Sequence, residues 1–138
     1  MTATLRKTTM SLDLSPLDGL LLDDTVKGIP PGRALRLDEV GSQGWNVLGG
    51  DVTLPVAVIR ESALRHNSAW MQRFVAQRGG ALAPHVKTTM CPEIMRRQLD
   101  DGAWGVTVAT LHQLGVCVRF GARRVILANQ LVGRLELS

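Results

Sequence analysis

A chain of 138 residues that is 45% hydrophobic and 20% charged holds enough apolar material for one small domain with a core. Its net charge of +4 is scattered, with adjacent pairs at Arg96–Arg97 and Arg123–Arg124, and aromatics are 4% with no tyrosine. Dispersed charge and so few rings argue against a nucleic-acid face or a stacking platform for single strands.

The two cysteines, Cys91 and Cys117, form no CxxC pair and no zinc spacing, so they read as free thiols of a reducing compartment. Arg6 and Lys7 precede no apolar run of signal-peptide length, and no stretch approaches the ~18 apolar residues of a membrane helix. The expectation is a cytoplasmic protein with no membrane and no nucleic-acid partner.

Residues 1–50 read as an N-terminal extension. "SPLDGLLLDDTVKGIPPG" has interrupted periodicity and adjacent prolines, and "GSQGWNVLGGD" is glycine-rich. One short helix is expected near Pro16–Asp24, followed by loops. Leu17, Leu20, Leu21 and Val26 are expected to cover a surface of the main body, because a disordered tail rarely spends so many leucines.

Residues 51–138 are regular. "LPVAVI" is a strand candidate, and "RESALRHNSAWMQRFVAQRGG" has helical spacing through Leu64, Met71, Phe74 and Val75 with a stop at Gly79–Gly80. "ALAPHV" is a second apolar run. "CPEIMRRQLDDG" reads as a helix with Pro92 and Glu93 in its first turn and Gly102 as its stop. "AWGVTVA" is β-rich, "TLHQLGVCVRFG" is helical, and "RRVILAN" is a further strand.

Leu82, Trp104 and Arg124 open successive strands 22 and 20 residues apart, each pair separated by one helix. That alternation implies right-handed crossovers and parallel pairing. The strands are apolar throughout, which predicts a sheet buried on both faces. The fold class is therefore α/β, as a barrel or an open doubly wound sheet. A closed eight-fold barrel needs at least ~200 residues. The chain reads as about the first three strand–helix units of something larger, with an apolar edge near Val125–Ala128.

Function in parallel α/β folds gathers at the C-terminal ends of strands. His85, Lys87, Thr88 and Thr89 follow the first barrel strand. Thr107, Thr110 and His112 follow the second, and Asn129 and Gln130 follow the third. A partly desolvated rim lysine is a nucleophile for carbonyls, including pyridoxal phosphate. The plainer reading of Lys87 is a strand-end lysine reaching to solvent. For His85 the plain reading is a hydrogen-bonded core imidazole. His66 and His112 have no metal-ligand partners at the usual spacing.

"PHVKTTMCPEIMRRQLDDGAWGVTVATLHQL" followed by "FGARRVILANQLVG" resembles the N-terminal barrel region of the alanine-racemase-like, fold type III, pyridoxal-phosphate enzymes. It is most similar to the D-threonine aldolase / D-serine dehydratase group, also called amino-acid deaminases. The resemblance runs from about Leu54 to Gly133, with a weaker echo near Trp45.

It implies a partial TIM-type (β/α) barrel, and it makes Lys87 the Schiff-base lysine. It places His85 and Thr88, with Pro84, at that end of the cofactor site, and adds Thr110, Asn129 and Gln130 as further cofactor-pocket residues. It implies pyridoxal 5'-phosphate, an amino-acid substrate of the D-serine or D-threonine type, and a homodimer with a possible divalent metal in a full-length relative. No metal ligand is assigned in this chain. Thr89 and Met90 stand where many relatives carry lysine or histidine, which points toward the deaminase-like subgroup. The family's phosphate-binding loops, metal ligands and C-terminal domain lie past residue 138, and Leu54–Ile59 would pair with that domain. The chain alone is then expected to be inactive. The alternative is a non-catalytic barrel half, or cofactor-carrying partner, that complements another polypeptide.

Overall fold

The computed structural model describes residues 11–137. The stretch with Arg6 and Lys7 lies outside them. The chain divides into two compact units, one of residues 15–61 and one that joins residues 11–14 to residues 62–137.

The first unit is built on a short antiparallel hairpin, β1 (Leu21–Asp23) with β2 (Ala34–Arg36), in which Leu22 faces Leu35. The helix expected near Pro16–Asp24 is absent. A 3-10 turn at Ser15–Leu17 ends at Gly19, whose φ of 76° no right-handed helix accepts, and the leucines after it enter the hairpin. Leu20, Leu21 and Val26 are exposed. This unit's apolar anchor is Ile29, buried beside a hydroxyl bridge in which Gly28 N–H donates to Thr53 Oγ1 and that hydroxyl donates to the Ile29 carbonyl. The expected strand at Leu54–Ile59 is also absent. Pro55 has no N–H for a ladder, and Leu54, Val58 and Ile59 are exposed, so no neighbouring strand reads that backbone.

The second unit holds α1 (Glu61–Gln77), α2 (Pro92–Asp100), β3 (Val106–Val108), α3 (Leu111–Arg119) and β4 (Val125–Leu127). The sequence periodicity placed all three helices. Pro92 sits in the first turn of α2, where its missing N–H costs nothing, and Glu93 favours the positive dipole end. Gly79, Gly102 and Gly121 follow the three helices in left-handed backbone.

β3 and β4 pair in parallel, Val106 opposite Val125 and Val108 opposite Leu127. The run "ALAPHV" adds a further parallel edge on β3's other side. Trp104 N–H donates to the Leu82 carbonyl at 2.7 Å, Thr107 N–H to Pro84 at 2.8 Å, and Val86 N–H to Thr107 at 2.9 Å, with His85 bridged to Thr107. The 22- and 20-residue spacing thus became physical neighbours. Asp13 N–H donates to the Phe120 carbonyl, and nearby Leu12 is buried, which ties residues 11–14 to the end of α3.

The expectation of two buried faces holds for β3, whose Val106, Thr107 and Val108 are all buried, and fails on the runs that flank it. Alternation sends Val86, Val106 and Val108 to one face, where they are buried with Met95 and Cys117. It sends His85, Thr107 and Ile126 to the other, where Thr107 is buried between its neighbours while His85 and Ile126 are exposed, Ile126 by 43%. With so few paired strands the sheet does not curl closed, and among the described residues no layer covers that second face. The architecture is an α/β sheet segment with no closed barrel.

Gly105 explains how close β3 and β4 come. A Cβ at this position would lie 2.5 Å from the Arg124 carbonyl oxygen, the same oxygen that accepts from Val106 N–H. Gly105→Ala must push the strands apart, and a loss of about 1–3 kcal/mol in urea-unfolding free energy is expected. An unchanged midpoint and slope would show that the approach is not tight.

Candidate functional site

The three parallel strand ends release their chains on one edge of the sheet; Lys87, Thr88, Thr110, Asn129 and Gln130 lie on these exits, while His85 and Thr107 lie within the paired strands. After Val86 the chain makes the turn Lys87–Thr89, closed by Met90 N–H donating to the Val86 carbonyl at 2.9 Å. Met90 takes φ of 45°, a left-handed value that costs a side-chain-bearing residue energy and here redirects the chain into α2. Lys87 and Thr88 are exposed on this turn, and His85 is exposed one alternation before Lys87, on the open face.

Thr110 leaves the end of β3 and caps α3. Its Oγ1 accepts from Gln113 N–H at 3.3 Å, and its backbone is extended as an N-cap requires. Asn129 and Gln130 follow β4, exposed. Asn129 Nδ2 donates to the Ala109 carbonyl at 3.3 Å, and its Oδ1 accepts from Gln130 N–H at 3.0 Å. The structure therefore links Thr110, Asn129 and Gln130 to the β3 exit, and leaves the Lys87, His85 and Thr88 side chains facing solvent.

Sequence reasoning missed Gln113. Its Oε1 accepts from Ala109 N–H at 2.9 Å, and its Nε2 makes a long contact of 3.5 Å with the Lys87 carbonyl. The signal was present in Thr110-x-x-Gln113, a capping-box spacing. The glutamine reaches one residue further back than such a box requires, and so touches two strand exits at once.

Cys91 is not a competing nucleophile. Burial pushes its thiol above the ordinary value, and the neighbouring Glu93 carboxylate, 3.1 Å from Sγ, adds to the shift. A thiol held protonated is a poor nucleophile. Thr107 is likewise spoken for: it is buried, and its hydroxyl donates to the Ala83 carbonyl at 2.7 Å.

An apolar cavity lies away from this rim. A space of about 260 Å³ opens between α1, α2 and the helix-covered face, lined by Leu64, Met71, Leu82, Pro84 and Ile94. Leu82 and Pro84 share Val86's face, opposite His85, so this apolar gap is a packing defect behind the sheet and not part of the rim. Ser68 and Asp101 hydrogen-bond across α1 and α2 beside it. Among the described residues no group of three or more His, Cys, Asp or Glu is placed to hold a metal ion. No helix among them is long and apolar enough to cross a membrane.

An exposed primary amine on a strand exit suits the aldehyde end of pyridoxal phosphate. The helix starts on this rim are poorly disposed toward the phosphate end. α2 opens with Pro92, which lacks an N–H, and with the anionic Glu93, while one first-turn N–H of α3 is taken by Thr110.

Comparison with known proteins reaches the same class. No family model matches the chain. It is 35% identical over 78 residues to a D-threonine aldolase of Arthrobacter sp., a match covering 56% of this chain and 20% of that protein. It is 39% identical over 59 residues to a D-threo-3-hydroxyaspartate dehydratase of Delftia sp. (strain HT23), covering 43% of this chain and 16% of that protein. A crystal structure of D-threonine aldolase from Filomicrobium marinum superposes with a TM-score of 0.61 at 32% identity, over 63% of this chain and 24% of that one. The chain thus spans about a fifth of the length of the relatives it matches. The resemblance to fold type III pyridoxal-phosphate enzymes is borne out, and the relatives within that class are D-threonine aldolase and a D-3-hydroxyaspartate dehydratase.

Thr110→Ala removes the cap of α3, and a loss of about 1 kcal/mol in unfolding free energy is expected. Calorimetry or urea titration measures it, and an unchanged stability would mean that solvent caps α3 equally well.

Proposed function

We propose that this chain carries the lysine-bearing first strand–helix units of a pyridoxal-phosphate-dependent lyase acting on D-amino acids or 3-hydroxy amino acids of the D-serine or D-threonine type. The observation that carries this reading is Lys87, exposed on the first of three parallel strand exits, in a chain similar to D-threonine aldolase and a hydroxyaspartate dehydratase.

Lys87 would hold the cofactor through its amine, and would accept or return a proton at the substrate α-carbon. When bound, pyridoxal phosphate supplies the electron sink for the reaction. His85, exposed two residues before Lys87, would flank it. Thr88, Thr110 and Gln130 would line the rim, with Asn129 beside them. With the helix starts of this rim poorly disposed toward phosphate, the chain alone is expected to hold cofactor weakly and to turn over poorly. A homodimer, a divalent metal and a cytoplasmic setting belong to the same proposal for a full-length protein.

A second reading is favoured by one feature. Ile126 on the open face and Val132 and Leu135 beyond β4 are exposed apolar side chains. They suit a barrel half completed by further strands from another polypeptide.

Mixing the chain with pyridoxal phosphate and reducing with borohydride should place the mass label on the Lys87 peptide, and Lys87→Ala should abolish it. A label that persists in Lys87→Ala would overturn the assignment.

A further inference from the structure

We propose that Gln113 and Asn129 are positioning residues for Lys87, their side-chain amides joining the three strand exits into one hydrogen-bonded ladder. The proposal rests on the reading of Lys87 as the reactive amine and adds to it the residues that fix its backbone.

The main-chain ladder stops short of the rim. Its last bonds run from Val86 N–H to the Thr107 carbonyl and from Ala128 N–H to the Val108 carbonyl, both at 2.9 Å. Beyond them the chains diverge, and backbone groups at Lys87 and Ala109 lose their strand partners. Primary amides take over. The Lys87 carbonyl meets Gln113 Nε2 at 3.5 Å, Gln113 Oε1 accepts from Ala109 N–H at 2.9 Å, and the Ala109 carbonyl accepts from Asn129 Nδ2 at 3.3 Å. Asn129 Oδ1 closes the series on Gln130 N–H at 3.0 Å.

Each step needs a side chain that donates and accepts at once. An amide does both, whereas an ionised carboxylate only accepts and an ammonium only donates. Gln113 is also fixed at its own backbone, since its N–H donates to the Thr110 cap. The ladder is therefore anchored to the start of α3 and reaches both flanking exits. In this arrangement Asn129 is engaged with backbone and is not free to bind cofactor.

The consequence for Lys87 is geometric. Its side chain is long and exposed, so the position of its Cα decides where the amine reaches. The turn that carries it is otherwise closed by the single bond from Met90 to Val86. A displacement of about 1 Å at a reacting group costs on the order of a hundredfold in rate.

Two variants separate the two bonds that Gln113 makes. Gln113→Leu removes both. Gln113→Glu keeps an oxygen for Ala109 N–H and replaces the donor to Lys87 with a carboxylate that repels its carbonyl. Amide hydrogen exchange by NMR at Ala109 should quicken about fivefold in Gln113→Leu and stay near wild type in Gln113→Glu. Borohydride-fixed pyridoxal phosphate on Lys87 should fall on the order of tenfold or more in both. Cys117→Ala, which weakens the core away from the rim, serves as the control for simple destabilisation and should label normally. The ladder is refuted if Ala109 exchange is the same in wild type and Gln113→Leu, or if Gln113→Glu labels Lys87 at the wild-type rate. If the wild-type chain takes no label at Lys87, the functional reading fails separately. The ladder is then judged by Ala109 exchange and by the Lys87 carbonyl chemical shift, which should move in Gln113→Glu and refutes the ladder if it does not.

Discussion

The parallel main-chain ladder through β3 is the constraint on which the rest of the second unit depends. It sets Leu82 beside Trp104, Pro84 beside Thr107, and Val106 beside Arg124. Because the pairing is parallel, all three chains leave the sheet on the same edge. A register slip of one residue would turn His85 toward the helices and bring Val86 out to the open face, since side chains alternate along a strand. The close approach at Gly105 and the Thr107 hydroxyl on the Ala83 carbonyl help hold that register.

The helices dress one side of the sheet. Met95 and Cys117 meet beneath α2 and α3, with their sulfurs 3.8 Å apart, and with Val106 and Val108 they form the driest part of the unit. Burial on this scale is the main favourable term available to so small a core. The other side carries exposed His85 and Ile126 around the buried Thr107, and Lys87 is exposed on the turn that follows the first strand. One side holds the core and the other presents exposed polar side chains, and β3 belongs to both.

Much of this was legible in the residues. Helical periodicity with glycine stops placed α1, α2 and α3, and the repeat of Leu82, Trp104 and Arg124 anticipated the parallel neighbours. Failures came where pairing or closure decided the outcome. The leucines after Gly19 carry no mark of hairpin or helix until the strand opposite them is known. "LPVAVI" is apolar enough for a strand, but an extended segment becomes one only when another backbone reads its N–H groups. Apolar runs suggested a sheet covered twice, yet coverage depends on how many strands and helices surround it. Lys87 stood out because a charge after an apolar run is conspicuous. Gln113 did not, because a glutamine in a first helical turn has an ordinary capping explanation, and only the fold shows that it spans two exits.

The most direct measurement is residue-resolved amide exchange across the parallel ladder. The amides of Trp104, Thr107 and Val86 should be protected comparably to Val106, because they belong to one hydrogen-bonded sheet. Protection confined to Val106 and its β4 pairing, with Val86 and Thr107 exchanging like the exposed turn at Thr88, would contradict the account, since Lys87 would then not stand on the rim of a parallel sheet at all.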